Sequence, residues 1–285
     1  MKLCVIIPAA GASTRYNAGG EFARSKLDED LGGRPVLHRS VDLFAKLEME
    51  GVDIASIIVA GPHDEQAFSA FSARHGDTLR MLGCTLVRGG VTHRYETVAA
   101  ALSHVPNDAT HVAIHDAARP CAPSDMIERV LDASQRHDAV VPALPVGDTL
   151  KHAPREVADD EDDDPVAAIL GASAVRPALR AVDRTLDRAN IFAVQTPQVF
   201  RRELVDRSYG RLAGALSSGG AGVVLPTDDA EVVERFLADA PDAGPVLLVA
   251  GDARNIKITT PADLAIARAV LGAKPPQDRP AHKRF

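Results

Sequence analysis

Apolar residues fall along this chain in two rhythms. Short, mainly apolar runs at residues 3–7 (LCVII), 54–60 (IASIIVA), 84–87, 111–115 and 139–143 predict strands, the first buried on both faces. Between them the spacing is helical. Residues 35–47 place Leu37, Val41, Phe44 and Leu47 on one face with Pro35 in the first turn. Residues 64–74 turn Phe68 and Phe71 inward, and further helices are predicted at about 94–104 and 124–136. Strands alternating with helices at this spacing predict an α/β fold with a mainly parallel sheet, helices on both faces. Ligands of such sheets sit outside the carboxyl ends of the strands, which singles out the loops after residues 8, 61, 88 and 115.

The rhythm changes after Pro145. Residues 146–151 read as an extended segment leaving the sheet and lead to Asp159-Asp160-Glu161-Asp162-Asp163-Asp164, a self-repelling, solvated run. Regularity returns near Arg188. A helix is predicted at about 202–216, a strand at 223–225, and a helix through Leu237 capped by Asp228 with Glu231. A strand at 245–250 precedes a last helix opened by Thr260-Pro261-Ala262-Asp263. This divides the chain into one domain over 1–273, with an arm at about 146–187 that carries the acidic run, and a tail at 274–285 expected to be disordered.

Composition narrows the class. The 285 residues, 46% hydrophobic and 25% charged, suit a globular protein with a sizeable core. No apolar run is long enough to span a membrane and no secretory leader pattern is visible, so the expected compartment is the cytoplasm. Three widely spaced cysteines form neither a disulfide framework nor a CxxC metal site. A net charge of −7 argues against nucleic acid as partner, while leaving room for a local cationic pocket.

The first strand runs into Pro8-Ala9-Ala10-Gly11-Ala12-Ser13-Thr14-Arg15, with Lys26 beyond. Small side chains let backbone N–H groups approach a phosphate, and the cations match its charge. An ordinary strand-to-helix loop fits those residues equally well. Later strand ends add Gly89, Gly90, Arg94 and Thr97, then Asp116 and Arg119, and the later chain adds Lys151, Arg188, Thr196, Thr227 and Lys257. Cations gathered around an acid are what displacement at phosphorus requires, because its transition state spreads negative charge over several oxygens. Singly, each cation also reads as a surface charge, Asp116 as a turn acid and Thr196-Pro197 as a strand terminator. No Ser–His–Asp or Cys–His pattern is present, and Cys121 reads as a small buried hydrophobe.

In combination the motifs resemble a known family. Val5-Ile6-Ile7-Pro8-Ala9-Ala10-Gly11 with Arg15, His115-Asp116-Ala117-Ala118-Arg119-Pro120, Gln195-Thr196-Pro197-Gln198, Thr227-Asp228-Asp229-Ala230 and Asn255-Ile256-Lys257-Ile258-Thr259 stand in the order found in the sugar-phosphate cytidylyltransferases. The resemblance is greatest to the branch acting on 2-C-methyl-D-erythritol 4-phosphate. It implies a Rossmann-like nucleotidyltransferase fold with an extended dimerisation arm, CTP and a sugar-alcohol phosphate as substrates, Mg²⁺ as cofactor and a homodimer. It implies roles as well. Arg15 and Lys26 stabilise the transition state and departing pyrophosphate; Arg188 and Lys257 position the sugar phosphate. Pro8, Ala9, Ala10, Gly11, Gly90, Thr97, Asp116 and Ala117 bind the nucleotide, with Gly90 and Thr97 at the cytosine end. Asp116 also lies near the metal, and Arg119, Thr149, Thr196 and Thr227 line the substrate side. Arg188 and Thr149, on the arm, would complete the partner's site.

The chain departs from that pattern in four places. Ser13 stands where a second glycine is usual and Ser25 where a proline is usual; the run after Gly90 is one residue longer, and the arm is much longer. A ribitol 5-phosphate cytidylyltransferase and a non-catalytic nucleotide-binding protein of the same fold share several of these features. A dinucleotide-dependent oxidoreductase is disfavoured because GxGxxG does not follow the first strand.

Overall fold

Residues 3–7 have no exposed surface, and the alternation of a strand explains how one short run serves two cores. Leu3, Val5 and Ile7 point into one, Cys4 and Ile6 into the other. The computed structural model describes residues 1–17, 25–157, 179–218, 224–240 and 244–273. The acidic run, the glycine-rich residues 219–222 and the tail from 274 lie outside the described residues.

In chain order the first half comprises β1 (Lys2–Pro8), α1 (Val36–Ala45), β2 (Asp53–Gly61), α2 (Glu65–Met81), β3 (Cys84–Arg88), α3 (Arg94–Leu102), β4 (His111–Ile114), α4 (Ser124–Ser134) and β5 (Ala139–Pro145). The second half comprises β6 (Lys151–His152), β7 (Arg155–Val157), β8 (Leu179–Ala181), β9 (Arg184–Thr185), β10 (Phe192–Val194) and β11 (Gln198–Arg201). Then follow α5 (Arg202–Ser217), α6 (Asp229–Leu237), β12 (Leu247–Ala250) and α7 (Pro261–Val270). The chain divides into two compact units, one of Met1–Leu144 with the residues from Val194 onward, the other of Pro145–Ala193.

The larger unit holds a sheet in the order β12-β5-β11-β4-β1-β2-β3. Strands β1, β2, β3 and β4 are parallel, with Val5 paired to both Ile57 and Ala113, and β12 is parallel to β5. Between β4 and β5 lies β11, antiparallel to both. The alternation of strands and helices forecast only the parallel part. Strand β11 enters after the excursion through 145–193, so no crossover helix precedes it to announce its direction. Helices α1, α4 and α7 supply Val41, Phe44, Met126, Val130 and Leu264 to one core. Helices α3, α5 and α6 supply Val98, Val205, Tyr209 and Val233 to the other. Full burial of one such aliphatic side chain stabilises by roughly 1.5–3 kcal/mol.

Two local expectations need correction. Helix α2 runs on to Met81 instead of ending near 74; Phe71, half-buried, packs against the first core as the spacing predicts, and the fully buried residues are His75, Gly76 and Leu79. A histidine and a glycine on the inner stripe hid the second half of this helix from an apolar-periodicity reading. Residues 224–225 form no strand, and Val224 is exposed; residue 223 lies outside the described residues.

The smaller unit is built as a long antiparallel excursion. Lys151 pairs with Thr185 and Arg155 with Ala181, and the Val146 N–H donates to the Ile191 carbonyl. No described helix is long and apolar enough to cross a membrane.

Candidate active site

The carboxyl ends of β1, β3 and β4 open into a cleft of about 280 Å³ lined by residues 8–16, Lys26, residues 90–94, Thr97, residues 116–118, Lys257 and Thr259. The strand ladder continues past the strand ends and sets this spacing. The Ala9 N–H donates to the Ala60 carbonyl (2.7 Å), that of His115 to Ile6 (2.9 Å), and that of Ile258 to Ala118 (2.8 Å). The loop after residue 61 does not line the cleft. It supports the next one, since the Gly61 carbonyl accepts the Gly89 N–H (2.8 Å).

In the opening loop Ser13 adopts φ +56°, the left-handed region that favours glycine, at the position where the family resemblance leads one to expect a glycine. Its atoms are used locally. The Ser13 carbonyl accepts the N–H groups of Tyr16 and Asn17, and its hydroxyl accepts the Lys26 N–H (3.3 Å). Ser25 accepts the Leu27 N–H through its hydroxyl (3.3 Å) and so begins the next turn. Lys26 donates from Nζ to the Ile258 carbonyl (2.8 Å). Burial, then the neighbouring charges of Lys257 and Arg15, lower its pKa.

Asp116 is the electrostatic centre. It follows β4, is 8% exposed, and is flanked by Lys257 Nζ (2.8 Å), Arg94 Nε (3.2 Å) and Arg119 Nε (3.6 Å). Burial alone would raise its carboxyl, but Arg94, Lys257 and Arg119 outweigh that and hold it well below the usual carboxylate range. Behind it runs a chain of neutral hydrogen bonds. The Asp116 N–H donates to Thr196 Oγ1 (3.0 Å), and Thr196 Oγ1 lies 3.2 Å from His115 Nδ1. His115 Nε2 lies 3.0 Å from the Arg119 carbonyl. The network is satisfied when Thr196 donates to Nδ1 and Nε2–H donates to the carbonyl. Burial pushes His115 down to about 4, which keeps it neutral for that part.

Thr196 therefore stands behind Asp116 rather than on the cleft wall. It is buried, and its carbonyl accepts from Asn255 Nδ2 (2.9 Å). Gln195 Nε2 donates to the Asp252 carbonyl (2.9 Å), and its Oε1 accepts the Asp252 N–H (3.1 Å). Arg119 Nη1 donates to the Asn255 carbonyl (2.6 Å). The segments 195–198 and 255–259 thus interlock, and Lys257 reaches Asp116 from a fixed backbone.

At the other end, Gly90 and Thr97 meet directly: the Gly90 N–H donates to Thr97 Oγ1 (3.1 Å). A Cβ on Gly90 would stand 2.1 Å from the Glu96 Cβ and under 3 Å from the backbone of residues 96 and 97, so only glycine fits. His93 and Glu96 form a capping box at the start of α3.

Of the sequence-derived candidates, Pro8, Ala9, Ala10, Gly11, Arg15, Lys26, Gly90, Thr97, Asp116, Ala117 and Lys257 line one cleft. Thr196 is buried behind Asp116, and Arg119 lies half-buried beside it. Thr227 pairs with Glu231 at the start of α6, its N–H (2.7 Å) and hydroxyl (2.9 Å) both donating to Oε2. Thr149 and Arg188 are exposed on the smaller unit, where Arg188 donates to the Gly147 carbonyl. The sequence reading passed over the buried supports His115, Asn255, Tyr209 and Asp229, although three of the four lie inside or beside the motifs that it singled out.

Asp116 is the sole carboxylate among the described residues lining the cleft, and no group of three metal-ligating side chains occurs among the described residues. One firmly ionised carboxylate fits Mg²⁺, which keeps several waters and binds through one or two carboxylates plus substrate phosphates.

The model of the family IspD, 2-C-methyl-D-erythritol 4-phosphate cytidylyltransferase, matches residues 3–164 and 155–273. The chain belongs to this cytidylyltransferase family. The proteins of that name from Rhodopirellula baltica and Symbiobacterium thermophilum are 32% and 34% identical to it. The alignments cover 95% of this chain in both cases, and 95% and 93% of the relatives. The crystal structure of the Thermus thermophilus enzyme superposes with a TM-score of 0.61 at 29% identity, covering 95% of this chain and 98% of that one. Like them, this cytidylyltransferase has the α/β architecture, and the motifs that build its cleft fall within the matched residues.

Proposed function

We propose that the chain transfers a cytidylyl group from CTP to 2-C-methyl-D-erythritol 4-phosphate, giving 4-CDP-2-C-methyl-D-erythritol and pyrophosphate, a step of non-mevalonate isoprenoid precursor synthesis in the cytoplasm. The observation that carries this reading is the junction at Asp116, where Lys257 approaches one side of a small-residue loop bearing Arg15 and, beyond it, Lys26. A phosphate oxygen of the sugar alcohol attacks the α-phosphorus of CTP, the new P–O bond forms and the bond to the leaving pyrophosphate breaks. No covalent enzyme intermediate is needed.

Arg15 and Lys26 face the triphosphate and stabilise the charge that moves onto pyrophosphate. The lowered pKa of Lys26 supports its role, because a desolvated ammonium attracts phosphate more strongly than a hydrated one. Lys257 orients the attacking phosphate, with Arg188 supplied by the arm of a second copy of the chain. Gly90 and Thr97 hold the base, where polar contacts discriminate cytosine from uracil. Asp116 faces the ribose and metal; Arg119 and Thr196 serve the substrate side by fixing Asp116, and Thr149 and Thr227 complete that side. Mg²⁺ bound with CTP neutralises phosphate charge and orients the triphosphate.

The unit 145–193 acts as the arm of one nucleotidyltransferase domain, and a second copy of the chain covers it. Leu179, Val182, Ile191 and Phe192 on that unit are between 43% and 58% exposed, which supports a homodimer. The test is pyrophosphate release across nucleotides: turnover requires CTP, Mg²⁺ and methylerythritol phosphate together. Comparable rates with UTP, ATP or GTP overturn the cytidylyl assignment.

A further inference from the structure

Asp229 has no exposed surface, yet it is not the residue that caps α6. That task falls to Asp228, whose Oδ1 accepts the Glu231 N–H (2.9 Å) and whose Oδ2 accepts from Gln198 Nε2 (2.8 Å). The neighbours of Asp229, namely Ala230, Val232 and Val233 on α6 and Tyr209 on α5, belong to the second core. A carboxylate there is expensive unless it is paired. Tyr209 Oη donates to Oδ1 (2.6 Å) and Arg94 Nη1 to Oδ2 (2.6 Å).

Arg94 has a second carboxylate. Its Nε donates to Asp116 Oδ1 (3.2 Å), while Lys257 holds Asp116 Oδ2 (2.8 Å). Tyr209, Asp229, Arg94 and Asp116 thus form a continuous line from the buried face of α5 to the cleft floor. Two oppositely placed acids fix one guanidinium at both ends, leaving its planar fork little freedom. We propose that Asp229 is a positioning residue of the transfer reaction: anchored by Tyr209, it fixes Arg94 and, through Arg94, the Asp116 carboxylate. This rests on the role given to Asp116 above.

The test compares Asp229→Asn and Tyr209→Phe in two backgrounds, wild type and Arg94→Lys. It reads kcat, the KM for CTP, and the urea midpoint. In the wild-type background Asp229→Asn lowers kcat about tenfold to a hundredfold, and Tyr209→Phe about twofold to fivefold, with KM changed less than about threefold. In the Arg94→Lys background neither substitution lowers kcat by more than about twofold, because the element through which they act is already displaced. A wild-type kcat in Asp229→Asn overturns the proposal, as does an equal loss in both backgrounds, which marks a purely structural acid. Should Asp229→Asn not fold, the Tyr209→Phe pair carries the same comparison. Absence of turnover in the wild type would instead sink the reaction assigned above, so the two failures are distinguishable.

Discussion

Acidification tests the buried histidine behind the site. His115 is fully enclosed, hydrogen-bonded through both ring nitrogens, and pushed by burial from the ordinary 6.5 down to about 4. Below pH 6.5 the unfolded chain takes up a proton at this residue while the native protein does not. Stability is therefore whole above about pH 6.5 and lost progressively down to about pH 4. One proton difference changes stability by about 1.4 kcal/mol per pH unit, so the passage from about pH 6.5 to about pH 4.5 removes about 2 kcal/mol through His115. Urea unfolding at fixed ionic strength, for wild type and for His115→Asn, isolates it. The other titrating groups are shared and cancel in the difference. The wild-type advantage over the variant shrinks by about 2 kcal/mol across that interval. A difference that stays constant with pH refutes the reasoning and means that His115 titrates in the fold as it does in the unfolded chain; one that grows on acidification refutes it too and means that His115 is already charged.

Gly90→Ala forces a methyl group into the backbone of α3; about 1–3 kcal/mol of overpacking, expressed in the nucleotide loop, raises the KM for CTP roughly tenfold to a hundredfold, and an unchanged KM would show that this loop does not hold the base. Lys26→Ala and Arg15→Ala each lower kcat by about a hundredfold to a thousandfold with the urea midpoint near wild type; a near-normal kcat in either variant removes that residue from the reaction. Mixing inactive Lys26→Ala and Arg188→Ala proteins restores about a quarter of the wild-type rate if symmetric dimers share arms, since half of the dimers are mixed and each holds one intact site. No recovery would place Arg188 in its own chain's site.

The cleft's floor was legible because it is local. A buried strand followed by small residues fits a phosphate loop and an ordinary connection equally well, but the parallel-sheet rule singles out the strand ends, and the loops after residues 8, 88 and 115 lie on that cleft. Gly90 carried its meaning in one residue, the lack of a side chain. The supports were not legible, because they join distant segments through ordinary side chains. Arg94 and Asp229 are 135 positions apart, and nothing about either alone announces the pair. Thr196 and Thr227 stood out only for their place in motifs, and nothing in the sequence announced that the one braces Asp116 and the other pairs with Glu231. Ser13 stood out where the resemblance leads one to expect glycine, but only its φ shows what that position demands of the backbone.

Coupling of CTP to a methylerythritol phosphate is the central claim. Its most direct measurement is kcat/KM for 2-C-methyl-D-erythritol 4-phosphate against ribitol 5-phosphate at saturating CTP, with the products followed by phosphorus NMR. The expected products are a CDP-linked methylerythritol and pyrophosphate in equal amounts, with a specificity constant at least about a hundredfold above that for ribitol phosphate. Equal or greater turnover of ribitol phosphate would contradict the claim.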